Sequence, residues 1–302
     1  MTKFIIIKKK TIIAIMLSIL AIFILFFCIN YTKNISAFFT LSKPNHIYYY
    51  DLDGDGMKDE LTISEINNYY EIKIETSNKD YILNCSNINF LTICPYYDLK
   101  VNILDLSRDN IPEIILSNYY NNTSQYCIFK WNGTSFENIF CCNNNILGVI
   151  DSKNSRTPIL LKNNFLNNND FSSYFLDNDT VKEVTINTGN IFSLDEVGRF
   201  IDLIEYPYEP EELPDIFTPN ISSDELKIFW NLNKDNYEYK FQSAYFCDND
   251  WNDLGNPSSI LWTLSFQKIS RNDVTKPSKE VLIHLTVNID YLNHYNISSI
   301  SW

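Results

Sequence analysis

The sequence feature that most constrains the fold is a short acidic loop at residues 51 to 59. Positions 1, 3, 5 and 9 of this loop are aspartates and position 6 is glycine, namely Asp51, Asp53, Asp55, Asp59 and Gly56. Side chains at alternate positions of a tight loop converge, and a hard cation such as Ca²⁺, which takes oxygen ligands, relieves the repulsion among four carboxylates. The loop therefore predicts a calcium site, with a solvated acidic turn as the alternative.

The residues after the loop indicate which kind of calcium loop this is. An EF-hand continues into a helix and carries a bidentate glutamate at position 12. Position 12 here is Thr62, within the alternating and partly β-branched run 60 to 63. The loop therefore leads into a β-strand.

The pattern Asp-x-Asp-x-Asp-Gly-x-x-Asp followed by a strand resembles the calcium loops of FG-GAP and VCBS-type repeat proteins, whose repeats are β-propeller blades. The resemblance covers roughly residues 46 to 165. It implies that the metal ligands are four side chains and one backbone carbonyl, namely those of Asp51, Asp53, Asp55, Asp59 and Met57. The rest of the chain shows no family resemblance.

A second copy of the loop begins 54 residues after the first. Its positions 1, 3, 5 and 9 also carry oxygen, in Asp105, Ser107, Asp109 and Glu113. Asn110 replaces the glycine, and asparagine tolerates the left-handed region better than most residues. Ser107 is a weaker ligand than aspartate and Arg108 adds a positive charge, so we expect weak calcium binding or none.

A third copy begins at Asp151, with Lys153 and Ile159 at two of the ligand positions, which predicts a turn without a metal. A period near 50 residues, with an apolar strand after each loop, is typical of repeated four-stranded blades. Three copies are fewer than the four to eight blades of a closed propeller. We therefore predict a partial blade stack over residues 46 to 190, with completion by later strands as the alternative.

The N-terminus predicts a membrane anchor. Lysines precede residues 11 to 29, which are uncharged and almost entirely apolar. Nineteen such residues are about enough to cross a hydrocarbon core of about 30 Å, and the positive-inside rule keeps the lysines in the cytoplasm. The prediction is a cytoplasmic tail at 1 to 10, a single-pass signal anchor at 11 to 29 and export of the rest, with cleavage of the segment as the alternative.

The charge of the exported part excludes some partners. Residues 1 to 45 hold six lysines and no acid, which leaves 18 basic and 37 acidic residues beyond them. Such a surface repels nucleic acid and favours divalent cations as counter-ions.

The C-terminal region predicts a different architecture. Ser193 and Glu196 form a capping-box pattern that opens a helix with an apolar face of Leu194, Val197, Ile201 and Ile204. Four alternating segments follow, at residues 227–232, 237–246, 260–269 and 281–289. We predict a small α+β domain over residues 191 to 302, one helix on an antiparallel sheet, with a further blade as the alternative.

Cysteines outside the anchor number six. Most lie in apolar strand-like runs, so we predict buried thiols, and Cys85 with Cys94 is the best candidate for a bridge.

No catalytic constellation stands out among three histidines and seven glycines. The sequence predicts a mainly β, membrane-anchored, calcium-binding surface protein that binds a protein or glycan and is not an enzyme. The alternative is an envelope hydrolase that acts on cell-wall or carbohydrate substrates through paired carboxylates.

Overall fold

The computed structural model describes residues 40–41, 47–85, 89–151, 156–164, 171–177, 179–186, 194–253, 255–273, 275–292 and 294–302. The predicted cytoplasmic tail and membrane anchor lie outside these residues. Within the described part of the chain, no helix is both long and apolar enough to cross a membrane.

The chain is mainly β, as predicted, and its described strands form three sheets, none of them closed. The first sheet has the order β2 (Ile47–Tyr50), β3 (Asp59–Ile66), β4 (Tyr69–Glu75) and β5 (Asp80–Ile82). The second has the order β1 (Thr40–Leu41), β6 (Lys100–Leu104), β7 (Glu113–Tyr120), β8 (Thr123–Trp131) and β9 (Phe136–Cys142).

The third sheet has eight strands. Four of them are β10 (Ile146–Ile150), β11 (Ile159–Asn163), β12 (Ser172–Asp177) and β13 (Thr180–Val184). The other four are β14 (Tyr237–Trp251), β15 (Pro257–Ser270), β16 (Lys279–Ile289) and β17 (Tyr295–Ser301). The order is β13-β12-β11-β10-β14-β15-β16-β17, and the β10–β14 pair is parallel.

The burial of the strands follows from their place between sheets. β3 has alternating buried and half-buried residues over its first six positions, whereas β7 is buried at its first seven. Ile114 of β7 packs in a core shared by the first and second sheets, and the next residue, Ile115, packs in a core shared by the second and third. Successive side chains of a strand point to opposite faces. A strand that is covered on both faces, such as β7, is therefore buried continuously along its length.

The predicted domain boundary near residue 190 falls within the third sheet. β10 and β14 lie on opposite sides of that boundary and pair along four residues, so a single sheet spans it. By their contacts, residues 39 to 302 form one unit. Strand pairing over such a distance along the chain leaves no local pattern in the sequence.

The predicted helix is present as α1 (Leu194–Glu205), and its four predicted apolar residues are buried. Ser193, its predicted cap, lies outside the described residues. The helix packs in one core with Phe246, Trp262 and Leu285 of the third sheet. The helix therefore covers one apolar face of the sheet, as the amphipathic pattern indicated.

Three of the four predicted C-terminal strands are present, within β14, β15 and β16, but segment 227 to 232 is helical. Two short helices, α2 (Ser223–Leu226) and α3 (Ile228–Asn231), occupy this region. Ser222 accepts a hydrogen bond from the N–H of Asp224, and the side chain of Glu225 accepts one from the N–H of Ser222. This capping box starts the helical turn, and it precedes the segment whose alternation predicts a strand.

The predicted Cys85–Cys94 bridge is wrong. The disulfide joins Cys127 and Cys141 instead, which are directly opposite each other on β8 and β9. The other four described cysteines are thiols, and two of them, Cys142 and Cys247, are buried.

A buried ion pair joins the second and third sheets. Lys100 Nζ lies 2.6 Å from Glu280 Oε1, and both side chains are buried. The ammonium also lies 3.2 Å from the centre of the Tyr97 ring. Burial lowers the pKa of Lys100, and the Glu280 carboxylate opposes that shift.

Candidate metal site

The first acidic loop connects β2 to β3, and its glycines set its shape. Gly54 and Gly56 have φ angles of +80° and +85°, a region that residues with a β-carbon rarely adopt. A Cβ on Gly54 would lie 2.5 Å from Cδ1 of Ile111, which belongs to the second loop. The glycine therefore allows both the turn and a close contact between the two loops.

Asp51 fixes the loop from inside. One carboxylate oxygen accepts the N–H of Gly54 at 2.8 Å and the other accepts the N–H of Gly56 at 2.9 Å. Asp53 accepts the N–H of Asp55 at 3.1 Å. These hydrogen bonds fix the orientation of the Asp51 and Asp53 carboxylates.

Asp59 is the buried member of the loop and is only 1% exposed. Its Oδ2 accepts the N–H groups of Leu52 at 2.7 Å and Asp53 at 3.2 Å, whereas its buried Oδ1 makes no hydrogen bond with any described residue. Burial raises the pKa of Asp59, and the nearby charges of Asp53 and Asp55 add to this while the two N–H groups oppose it. A buried carboxylate oxygen without a partner is costly, and a bound cation would remove that cost.

Three of the four predicted aspartates come together. One carboxylate oxygen from each of Asp51, Asp53 and Asp59 lies within 4.8 Å of the others. Oxygens at 2.3–2.6 Å from Ca²⁺ are at most about 5 Å apart, so this spacing fits one shared ion. Among the described residues no lysine or arginine forms a salt bridge with these three carboxylates.

The fourth aspartate, Asp55, makes other contacts. Its carboxylate accepts hydrogen bonds from the Ser77 hydroxyl and from the N–H of Met57, and these bonds lower the pKa of Asp55. Met57 is exposed, and its carbonyl as a ligand stays a prediction.

The second loop, between β6 and β7, repeats the hydrogen bonds of the first. Asp105 accepts the N–H groups of Arg108 at 2.6 Å and Asn110 at 3.1 Å, at the positions of Gly54 and Gly56 in the first loop. Both Arg108 and Asn110 have positive φ angles. The N–H of residue 106 donates to Oε2 of Glu113 at 2.6 Å, as that of Leu52 does to Asp59.

The second loop differs because a lysine of the neighbouring strand β8, Lys130, lies beside its carboxylates. Lys130 Nζ lies 2.9 Å from Asp109 and 3.6 Å from Glu113, whose side chain is fully buried. Burial opposes the charged lysine, but the Asp109 hydrogen bond and the Glu113 charge raise the pKa of Lys130. Burial raises the pKa of Glu113, and the N–H of Leu106 and the Lys130 charge oppose that shift. For Asp109 burial also raises the pKa, but the hydrogen bond from Lys130 helps to bring it below its usual value.

Sequence analysis missed Lys130, and the strand register explains its role. Extending the pairing of β7 with β8 by one residue puts Lys130 opposite Glu113. The corresponding step in β3 and β4 puts Thr76 opposite Asp59. The first loop has a neutral side chain at the place where the second has an ammonium group.

In the third loop, between β10 and β11, an arginine of the loop pairs with its first aspartate. Arg156 Nε lies 2.9 Å from a carboxylate oxygen of Asp151. The predicted non-ligand Lys153 lies outside the described residues, and Ile159 begins β11. Arg108 of the second loop donates to the carbonyls of Asp151 at 2.6 Å and Arg156 at 3.1 Å, so the loops are joined to each other.

A separate acidic groove lies at the end of α1. It has a volume of about 770 Å³ and is lined by carboxylates and two exposed tyrosines, including Asp202, Tyr206, Tyr208, Glu209, Glu211 and Glu212. Lys234 Nζ donates to the carbonyls of Leu203 at 2.6 Å and Tyr208 at 3.3 Å, which holds this wall in place.

No known family model matches the chain, and no curated protein is detectably similar to it. The likeness to FG-GAP and VCBS-type repeats therefore rests on the loop pattern.

Proposed function

We propose that the chain is a non-enzymatic binding module of the cell surface, built from FG-GAP/VCBS-like blades and stiffened by a Ca²⁺ ion in its first loop. The observation that carries the proposal is the convergence of one carboxylate oxygen from each of Asp51, Asp53 and Asp59, together with the buried Oδ1 of Asp59, which accepts no hydrogen bond from a described residue.

The topology supports the blade interpretation. Strands β2–β5, β6–β9 and β10–β13 are each four consecutive antiparallel strands. In each set, one of the three loops connects the first strand to the second. A repeated unit of this kind, stacked through shared apolar cores, is the arrangement of propeller blades.

The ion would act as a structural ligand. Asp51, Asp53 and Asp59 would hold it, with Asp55 and the carbonyl of Met57 as further ligands by resemblance. Ca²⁺ would neutralise the crowded carboxylates and fix the turn. Because Gly54 touches Ile111, ordering the first loop would also support its contact with the second.

The setting we propose is the outer face of a membrane, with residues 11 to 29 as the anchor. The acidic exported part would then bind a protein or glycan partner and would not bind nucleic acid. The affinity of such a site for Ca²⁺ would depend on the charge and the rigidity of its ligands.

The test measures the thermal stability of the full-length chain in Ca²⁺, in Mg²⁺ and in chelator. We expect Ca²⁺ to stabilise the fold by about 2.7 kcal/mol at a hundredfold excess over Kd, if the unfolded chain does not bind it. Mg²⁺ should do less because it demands near-ideal octahedral geometry.

The matched pair of variants is Asp51→Asn and Asp105→Asn. Both residues accept the N–H groups at positions 4 and 6 of their loops, so the local structural cost should be similar. Only Asp51→Asn should remove the calcium-dependent rise in Tm. An equal rise in both variants, or none in the unaltered chain, would contradict the proposal.

A hydrolase is the second candidate, and the acidic groove is the observation that favours it. A glycosidase needs two carboxylates about 5–10 Å apart across a sugar-sized cleft. Glu209→Gln and Glu211→Gln should abolish reducing-sugar release from cell-wall polysaccharide if this candidate is correct. The binding proposal expects no such release from the unaltered chain.

A further inference from the structure

Sulfur atoms from three cysteines meet between the first and second sheets. Cys127 of β8 and Cys141 of β9 form the disulfide. Cys85, which follows β5, places its Sγ 3.0 Å from that of Cys127 and 3.6 Å from that of Cys141. The third sulfur is therefore in contact with both members of an existing bridge.

The three sulfurs differ in burial. Cys127 is 1% exposed, whereas Cys85 is half-buried and Cys141 is exposed. The sulfur in the middle is thus shielded, and the two sulfurs that can bond to it lie nearer the solvent.

Among the described residues, no other group of three cysteines brings its sulfurs together. Cys142 is adjacent to Cys141 in sequence but is buried in the core between the second and third sheets. Burial raises the pKa of Cys142 to about 11. Cys142 is therefore a natural internal control.

We propose that Cys85, Cys127 and Cys141 form a thiol–disulfide exchange site in which Cys85 and Cys141 compete for Cys127. The thiolate of Cys85 attacks Sγ of Cys127, the Cys85–Cys127 bond forms, the Cys127–Cys141 bond breaks, and Cys141 leaves as a thiolate that takes up the proton lost by Cys85. One thiol and one disulfide are present before and after, so the step needs no oxidant or reductant.

The exchange moves a covalent link from one place in the fold to another. The Cys127–Cys141 bridge spans 14 residues and joins neighbouring strands. A Cys85–Cys127 bridge spans 42 residues and would join the first sheet to the second. The thiol that remains, at residue 141 or 85, lies toward the solvent and is the position that a thiol-reactive compound would modify.

The geometry also indicates what must move. Exchange requires the attacking sulfur to lie on the extension of the disulfide bond, whereas Cys85 lies beside the bond and near both sulfurs. The Cys85 side chain must therefore rotate before attack. Its partial exposure leaves room for this movement on one side.

The test alkylates the folded full-length chain with iodoacetamide without reductant and maps linked and labelled peptides by mass spectrometry. We expect two linked pairs, Cys127 with Cys141 and Cys85 with Cys127. Label at Cys141 should be at least fivefold higher in the unaltered chain than in Cys85→Ser. Equal labelling of Cys141 in these two proteins would overturn the proposal.

Two further variants give independent readings. Cys141→Ser should form the Cys85–Cys127 bridge on air oxidation, and Cys142→Ser should give the same two linked pairs as the unaltered chain. Alkylation of both Cys85 and Cys127 in folded Cys141→Ser would show that the two sulfurs do not exchange. If Cys141→Ser fails to fold, the labelling of Cys141 in the unaltered chain and in Cys85→Ser still tests the proposal.

Discussion

The first and second loops have the same backbone hydrogen bonds but differ in the charge that lies beside their carboxylates. In both, the acid at position 1 accepts the N–H groups of positions 4 and 6, and the acid at position 9 accepts that of position 2. The second loop then neutralises its acids with Lys130. The first has Thr76 at that register and no internal cation among the described residues.

The comparison teaches that the second loop has an ammonium group where, by our proposal, the first loop holds a metal ion. Lys130 reaches the carboxylates of the second loop from the neighbouring strand, so the fold itself provides the charge that we propose the first loop takes from solution. The first loop would then respond to divalent cations, and the second would be stable without them.

Removing the internal cation should have the largest effect. Lys130→Met leaves the fully buried Glu113 without its counter-charge, which should cost about 3 kcal/mol in the free energy of unfolding. Chemical denaturation measures this loss. The double variant Lys130→Met with Glu113→Gln should recover most of it, and a single variant as stable as the unaltered chain would show that Lys130 plays no such part.

Removing the buried acid of the first loop should come next. In Asp59→Asn the calcium-dependent stabilisation of about 2.7 kcal/mol, at a hundredfold excess over Kd, should disappear. In chelator the variant should be at least as stable as the unaltered chain, because a buried carboxylate that has one oxygen without a partner has been removed. Thermal melts in Ca²⁺ and chelator check both statements, and a calcium-induced rise that persists in Asp59→Asn would place the ion elsewhere.

Adding a cation to the first loop should make it resemble the second. Thr76→Lys places an ammonium group opposite Asp59 and should add about 1.5 kcal/mol of stability in chelator through charge-assisted hydrogen bonds. It should also reduce the effect of Ca²⁺. Thr76→Met is the matched control because it has similar length and no charge, and equal behaviour of the two variants would refute the comparison.

The smallest effect should be a change in pH dependence. The pKa of Asp59 is raised in the folded state from its usual value of 3.8, mainly by burial. As pH rises from 3.8 the unfolded chain loses this proton first, so without metal the stability falls until the folded pKa is passed. With Ca²⁺ bound to the ionised carboxylate, stability should instead rise with pH.

Melting curves of the unaltered chain and Asp59→Asn, each in chelator across pH 4 to 7, isolate this contribution. The Tm of Asp59→Asn minus the Tm of the unaltered chain should increase as pH rises. A constant difference would mean that Asp59 titrates alike in the folded and unfolded states.

The sequence by itself determined the features that depend on neighbours along the chain. The glycines and aspartates of the first loop, the alternation of β16 and the apolar face of α1 could all be predicted, because turn chemistry and side-chain periodicity are local. The error at residues 227 to 232 is also local, since the capping box at Ser222 and Glu225 starts helical turns just before the segment whose alternation predicted a strand.

Only the tertiary structure decided which distant groups meet. β10 pairs with β14 across the predicted domain boundary, and Lys130 lies beside the carboxylates of the second loop. The disulfide joins Cys127 to Cys141, whereas the sequence favoured Cys85 with Cys94. Asp55 accepts a hydrogen bond from Ser77, and only Asp51, Asp53 and Asp59 of the four aspartates bring a carboxylate oxygen together. Local propensity carries no information about such contacts, because they depend on how strands register and how sheets pack against one another.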